Sequence, residues 1–332
     1  MKTLHCHLSP LVACWLLVIS LPASIGAADD PFMGDWQGDH VVAQVIPLGE
    51  DVYRVILLRE FDVRGEPLID VEAKRTGNRL EFEEGAWSGR FEGDTCELRP
   101  NRGAQERLKR VRRESPTLGA KPPAGANVLF DGSGFKQWQV RGADPTTPIV
   151  WKIVDGAMVV DPSGKQATPK QSLVTRQAYT GFQMHLEFWL PLMADQRGQA
   201  RANGGVVFED YNWCELQVLD SYGLEGKDNE CGGIYKISAP KVNMCRPPLM
   251  WQTYDIDYQA PRYGQAGELV KSGRITVRHN GKVIHDKVEL TDSPAAMKRR
   301  KNRPDSATVG RILLHYHHDP VRYRNIWLVP KK

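Results

Sequence analysis

Apolar and polar residues alternate along most of the chain, which is the pattern of β-strands that bury one face. Short runs of this kind recur between residues 40 and 112 and again between residues 150 and 329. Clusters of Gly, Asn, Asp and Pro separate the runs, as expected for turns. Helical periodicity is nearly absent. The pattern therefore predicts an all-β protein.

The predicted strands fall into two groups. Residues 114–126 are rich in Pro, Gly and Ala and are predicted to be a linker. Before it, residues 31–113 predict a small all-β domain, to which the sequence assigns no role. After it, residues 127–332 hold roughly ten to a dozen short strands, a density that predicts two packed sheets.

The first 28 residues have the organisation of a secretory signal peptide. Lys2 precedes a short apolar run at residues 11–21, and small residues follow at 26–28. We therefore expect a secreted or periplasmic mature protein. Residues 11–14 resemble a lipoprotein cleavage box but lie inside the apolar run, so a lipid anchor is not expected. No other stretch is long and apolar enough to predict a membrane span.

Four cysteines follow this leader: Cys96, Cys214, Cys231 and Cys245. An exported protein meets oxidising conditions, and Cys231 and Cys245 flank a loop-rich segment, so they are the preferred disulfide pair. Cys96 and Cys214 are expected to be buried thiols. No Cys-x-x-Cys spacing predicts a structural zinc site.

The charge balance gives no support for nucleic-acid binding. The formal net charge is +4, and the clearest basic run, residues 298–303, is a turn-flanked segment without aromatic residues. Such a run is typical of a solvated loop rather than of a base-stacking surface.

Three predicted strands alternate a core face with a face of ionisable or aromatic side chains. These polar faces comprise His185, Glu187 and Trp189 in the first strand, Trp213, Glu215 and Gln217 in the second, and His315 and His317 in the third. If the three strands share a sheet, these side chains line one carbohydrate-sized groove. A solvated outer face would produce the same alternation, so both interpretations stand for Glu187 and Glu215.

Residues 315–318 contain three of the nine histidines. This density is typical of metal or proton-transfer sites, although a polar strand end would also explain it. Trp189, Trp213 and Trp251 could stack on a sugar ring or pack in the interior. Lys236 follows a Gly-Gly pair, which would allow a close approach of the chain to a ligand.

Motifs along residues 127–329 resemble, in order, those of the bacterial 3-keto-disaccharide hydrolase family. They lie at residues 127–132 with Trp138, Trp151 with 155–156, and 203–205, 215–220, 233–235, 239–240, 251–254, 279–281 and 321–326. The resemblance implies a concanavalin A-like jelly-roll sandwich that acts on glycosides oxidised to a ketone at C3. It does not extend to residues 32–113.

The chain departs from the family at two positions. The family usually ends a strand with Gln-Asp-His-Gly, where this chain has His315, Tyr316, His317 and His318. His317 thus occupies the position of the family histidine, while the Gln and Asp are replaced. Glu209 stands where an arginine is common.

The implied reaction begins with removal of the C2 proton, continues with loss of the C1 substituent and ends with hydration. It requires a base, a group that stabilises the enolate oxygen and an acid for the leaving oxygen. His317, Glu215 and Glu187 are the catalytic candidates. The candidates for substrate binding are Gln217, Asp220, Lys236, His315, Trp189, Trp213 and Arg324. A divalent metal ion could polarise the ketone, but the sequence defines no ligand set and no other cofactor.

Two other functions remain open. A carbohydrate-binding sandwich without catalysis would depend on Trp189 or Trp213 but not on His317. A conventional glycoside hydrolase would need two carboxylates facing each other, for which Glu187 could pair with Glu215 or Glu209. The sugar, its linkage and the oligomeric state are not predicted.

Overall fold

The computed structural model describes residues 30–161, 171–208, 214–263, 269–290 and 310–331. Strands make up nearly all the regular secondary structure of these residues, which confirms the all-β class. A short 3-10 turn lies at Gly198–Ala200. Within these ranges no helix has the length and apolar character needed to cross a bilayer. The predicted signal peptide, the basic run 298–303, Glu209 and Trp213 lie outside the described residues.

The first eight strands close into an antiparallel barrel in which β1 pairs with β8. They are β1 (Gly34–Gln37), β2 (Val42–Gly49), β3 (Val52–Leu58), β4 (Ile69–Thr76), β5 (Arg79–Glu84), β6 (Trp87–Glu92), β7 (Thr95–Pro100) and β8 (Glu106–Val111). Trp36, Leu80 and Phe91 fill its interior. Gly89 of β6 has no side chain, which leaves room for Phe82 and Leu98.

The remaining strands form a two-sheet sandwich. The smaller sheet has the order β10 (Trp138–Val140), β13 (Leu173–Thr175), β22 (Ile312–Leu314), β15 (Gly204–Phe208), β16 (Cys214–Val218). The larger sheet has the order β11 (Lys152–Val154), β12 (Ala157–Val159), β23 (Arg322–Pro330), β14 (Gly181–Trp189), β17 (Trp251–Gln259), β20 (Gly273–His279), β21 (Lys282–Leu290), with β9 (Asn127–Phe130) paired to β23. Two short strands, β18 (Arg262–Tyr263) and β19 (Leu269–Lys271), pair separately.

The core of the sandwich lies between the two sheets. Leu186 and Phe188 of β14 belong to the same buried apolar cluster as Leu216 and Val218 of β16 and Leu314 of β22. Side chains in a strand alternate between its two faces, so the residues between these positions point outward. The predicted core faces and the jelly-roll sandwich are thereby confirmed.

The barrel packs against the sandwich, and the described residues from 31 onward belong to one compact unit. Ile46 and Ile56 of the barrel belong to the apolar core of the sandwich. The Tyr222 hydroxyl donates a hydrogen bond of 2.7 Å to Asp35 of β1. Apolar burial and directional polar contacts therefore hold the two β-units together.

The connector between the barrel and the sandwich lies on the outer face of the larger sheet. The Ser115 hydroxyl lies 2.6 Å from the Thr253 hydroxyl, and the Gly119 N–H donates to Glu187 at 2.6 Å. Asn325 donates a side-chain N–H to the Ala120 carbonyl at 3.0 Å. A composition typical of a flexible linker thus forms an attached strap here, because the sheet supplies partners for its backbone.

The four described cysteines are buried free thiols. The predicted disulfide between Cys231 and Cys245 is therefore absent from the structure. The Cys231 sulfur lies 3.3 Å from the Tyr254 hydroxyl, and the Cys245 thiol donates to the Leu219 carbonyl at 3.7 Å. Each thiol thus has its own polar partner in the interior.

Candidate functional site

Glu215 is placed on the outer face of the smaller sheet by strand alternation. Its neighbours in β16, Cys214 and Leu216, point into the core. On β15, Gly205 lies beneath the carboxylate, and a Cβ at that position would overlap Oε1 of Glu215. The Glu215 side chain is only 7% exposed. The glycine thus allows a carboxylate to lie flat against the sheet.

Two histidines after β22 lie near the same carboxylate, and His315 contacts it directly. The His315 N–H donates to the Gly205 carbonyl at 2.9 Å, which continues the strand pairing past the end of β22. His315 Nδ1 lies 2.8 Å from Glu215 Oε1, and His317 Nε2 lies 3.0 Å from the same Nδ1. We call Glu215, His315 and His317 the polar centre.

The surroundings of the polar centre are partly apolar. Val207 is the cross-strand partner of Glu215, and it forms a buried cluster with Leu313 and Val174 on the same outer face. Burial lowers the pKa of His317 most, and the nearby His315 lowers it further, to about 4. The His317 imidazole is therefore neutral near pH 7.

An amide network lies beside the polar centre on β16. Gln217 donates a side-chain N–H to Asn203 Oδ1 at 3.0 Å, and Asn203 donates to the Gln199 carbonyl at 2.7 Å. The Asn203 backbone N–H donates to Asp319 Oδ2 at 2.6 Å. Gln217 was a predicted site residue, whereas Gln199 and Asp319 were not. The Asn-Gly-Gly sequence at 203–205 was the available signal for this region.

The polar centre could hold a metal ion. One ligand atom from each of its three residues lies within 4.8 Å of the other two. One carboxylate with two imidazoles is a ligand set that binds zinc in enzymes and leaves a coordination position open.

Glu187 and Arg324 lie on the outer face of the larger sheet, so the predicted grouping of Glu187 with Glu215 and His317 is corrected. Arg324 donates to Glu187 at 2.7 Å, and Asn325 donates to it at 2.9 Å. Burial alone would raise the pKa of Glu187, but hydrogen bonds from His185, Asn325 and Arg324 lower it to about 2. Glu187 is thus a buried anion with a full set of partners. The alternation in the sequence predicted that Glu187 points away from the core. It could not predict that β14 belongs to the larger sheet, whereas Glu215 lies in the smaller one.

Trp189 shares this outer face with Glu187. The Arg322 guanidinium lies 4.4 Å from the Trp189 ring centre, and the Arg324 guanidinium lies 4.0 Å from that of Trp251. Each indole thus already stacks with a cation. Neither tryptophan is on the face that carries the polar centre.

Asp220 and Lys236 have different surroundings. Asp220 is buried and accepts a hydrogen bond of 2.6 Å from Arg201, while burial raises its pKa.

Lys236 is exposed and has a left-handed backbone with φ of 58°. The Tyr235 N–H, one residue earlier, donates to the Glu215 carbonyl at 2.9 Å, so the Lys236 turn follows a segment paired with β16.

The sandwich is similar to several solved structures of carbohydrate-active proteins. A candidate glycosyl hydrolase from Parabacteroides distasonis ATCC 8503 is 30% identical with a TM-score of 0.53, over 63% of this chain and 85% of that one. A second from the same organism is 18% identical with a TM-score of 0.45, over 63% and 95% of the two chains. Alginate lyase vAL-1 from a Chlorella virus is 13% identical with a TM-score of 0.31, over 55% and 88%. A comparison with curated proteins found no match.

The family assignment rests on a family model that matches a long part of the chain. The model of the 3-keto-alpha-glucoside-1,2-lyase-like domain matches residues 125–329, which is more than half of the chain. The chain therefore belongs to this family, in agreement with the resemblance of its motifs. The match contains all three residues of the polar centre and excludes the barrel.

Proposed function

We propose that this protein cleaves glycosides that carry a ketone at C3, and that the reaction takes place at the polar centre. The observation that carries this proposal is the convergence of Glu215, His315 and His317 on one partly buried spot, in a chain of this family. The substrate class comes from the family description, and the residues come from the geometry.

The reaction suits a single centre rather than two opposed carboxylates. A ketone at C3 acidifies the C2 proton, because the carbanion that forms is delocalised onto the carbonyl oxygen. Removal of this proton sends the C2–H electron pair into a C1–C2 double bond as the C1–O bond breaks, and the departing oxygen takes up a proton. Water then adds across the double bond, with its hydroxyl on C1 and its hydrogen on C2. The net result is hydrolysis.

The polar centre provides what the first step requires. It concentrates one carboxylate and two imidazoles, which are the usual proton acceptors in enzymes. The neighbouring apolar cluster of Val174, Val207 and Leu313 strengthens electrostatic interactions there by lowering the local dielectric constant. We assign the role of proton acceptor to the polar centre as a unit.

The amide network has a supporting role in this proposal. Gln217 and Asn203 are buried and bonded to each other beside Glu215 on the same face. Fixed amides of this kind orient sugar hydroxyl groups in binding sites. Lys236 is an exposed cation in a turn that follows the segment paired with β16, and it is assigned to substrate contact.

The experiment compares turnover of a 3-keto-glucoside by the wild type and by the variants His317→Ala and Glu215→Gln. Loss of a proton-transfer group typically costs about 10²–10⁴-fold in rate, and we expect losses of that order in both variants. His40→Ala is the matched control, because His40 is an exposed barrel histidine paired with Glu106. Wild-type rates in both centre variants would contradict the proposal.

A parallel assay with the unoxidised glucoside separates two reaction types. The proposed elimination needs the ketone, so we expect no turnover of this substrate. Turnover of the unoxidised glucoside would favour a conventional glycoside hydrolase. That mechanism needs a second carboxylate across from Glu215, and Glu187 does not occupy such a place because it lies on the other sheet.

A further inference from the structure

The contacts of His315 Nδ1 are unusual for a hydrogen-bond chain. This single nitrogen lies within hydrogen-bond distance of both Glu215 Oε1 and His317 Nε2. A neutral imidazole nitrogen has either one proton or one lone pair, so it serves one strong partner at a time. If Nδ1 carries a lone pair, that lone pair faces the carboxylate. If it carries the proton, two acceptors must share it. In the tautomers that leave lone pairs on His315 Nδ1 and His317 Nε2, three atoms with lone pairs lie around the same small volume.

We propose that Glu215, His315 and His317 bind a divalent transition-metal cation of the zinc type, through one oxygen and two nitrogen atoms. A cation satisfies all three lone pairs at once, and the carboxylate supplies part of the compensating negative charge. Two imidazoles with one carboxylate favour zinc-like ions over magnesium or calcium, which prefer oxygen ligands. Binding of the metal ion does not depend on the proposed function. The catalytic role of the ion described below does rest on that function.

The spacing of the ligand atoms fits this assignment. Bonds of about 2.0–2.1 Å to a tetrahedral zinc ion place neighbouring ligand atoms roughly 3.3 Å apart. The two close contacts are 2.8 and 3.0 Å, and all three ligand atoms lie within 4.8 Å of one another. The two close pairs would each need to open by a few tenths of an ångström to admit the ion.

The backbone supports the same arrangement. The His315 N–H is bonded to the Gly205 carbonyl, which fixes the position from which this imidazole extends. Gly205 also leaves the space that the Glu215 carboxylate occupies. Two ligands are thus positioned by one residue of β15.

In the proposed reaction, the cation would hold a water molecule at its open position. A cation-bound water loses a proton far more readily than free water. Held by Glu215, His315 and His317, such an ion would supply the polar centre with its proton acceptor for the C2 proton, and the departing C1 oxygen would still take up a proton.

The test is metal binding by full-length protein that has first been treated with a chelator and dialysed. Titration with Zn²⁺ in a calorimeter should give one ion per chain. Titration with Co²⁺ should give the visible absorption bands of a low-coordinate site. Changing residues that only support ligands costs about 10–100-fold in affinity, so we expect at least that loss in Glu215→Gln, His315→Gln and His317→Ala. His40→Ala should bind as the wild type does.

The outcomes distinguish this inference from the proposed function. Absence of binding, or equal binding by the wild type and all three variants, overturns the inference. Binding of one ion per chain at the polar centre without turnover of a 3-keto-glucoside supports the inference and contradicts the proposed function. Full turnover by metal-free protein supports the function and overturns the catalytic role of the cation.

Discussion

Two glutamates with the same sequence pattern have opposite surroundings in this protein. Glu187 and Glu215 each alternate with core residues in a strand, and both are nearly inaccessible to solvent. Glu187 is surrounded by donors from Arg324, Asn325 and Gly119. Glu215 faces two imidazoles. At the scale of the residue, the number and type of partners separate a structural anion from a candidate reactive one.

The variant Glu187→Gln should destabilise the protein in a pH-dependent manner. The folded state lowers the pKa of Glu187 from its ordinary value of 4.5 to about 2, so its contribution is complete above about pH 4.5 and is lost as the pH falls through 2. A shift of this size corresponds to about 3 kcal/mol near pH 7. Urea denaturation at pH 7 and at pH 3 measures the difference between variant and wild type. The expected difference is smaller at pH 3. Glu66→Gln, at an exposed position, is the control, and an equal pH dependence for both variants would contradict the prediction.

At the scale of the element, the sequence predicted much of the structure because alternation is a local property. The core faces of β14 and β16 followed from period-two patterns. The sheet to which each strand belongs did not follow, because the pairing of β15 with β22 joins segments about a hundred residues apart in the chain. His315 and His317 were therefore identified as candidates, but their meeting with Glu215, and the separation from Glu187, required the fold.

The variant Gly205→Ala should impair the polar centre without removing any of its functional groups. The added Cβ overlaps the carboxylate of Glu215, which must turn away from His315. A displacement of about 1 Å at a reacting group can cost on the order of 10²-fold in rate, and we expect a loss between roughly 10- and 100-fold. Turnover of the 3-keto-glucoside and Zn²⁺ affinity are the measurements. Gly65→Ala is the control, because a Cβ there meets no atom. Unchanged turnover and unchanged Zn²⁺ affinity in Gly205→Ala would contradict this prediction.

At the scale of the whole molecule, the barrel supports the loop that leads to the polar centre. Arg201 forms a buried ion pair with Asp220 and donates to the Pro47 carbonyl of the barrel at 3.3 Å. Gln199, two residues earlier, accepts a hydrogen bond from Asn203 in the amide network. No sequence pattern assigned a role to the barrel, because the contact between Arg201 and Pro47 joins residues more than a hundred positions apart.

The variant Arg201→Met should lower the stability of the barrel and the sandwich together. Removing the cation leaves Asp220 buried without its charge partner, a change that costs about 3–5 kcal/mol in comparable pairs. Denaturation followed by tryptophan fluorescence and by far-UV circular dichroism should give one coincident transition at lower urea concentration. Arg197→Met is the control, since Arg197 is exposed and bonds only backbone carbonyls. Two separate transitions in the wild type would contradict this coupling.

The strap formed by residues near Ser115 and Gly119 has a practical consequence. A stretch rich in Pro, Gly and Ala is where a protein engineer would first choose to cut the gene, insert a tag or expect a protease to nick the folded chain. Here that stretch covers a buried carboxylate and donates a backbone N–H to it. Separating the two halves at this site would expose Glu187 to water and would deprive it of one donor. A truncated sandwich that begins after the strap would therefore lack part of its own outer surface.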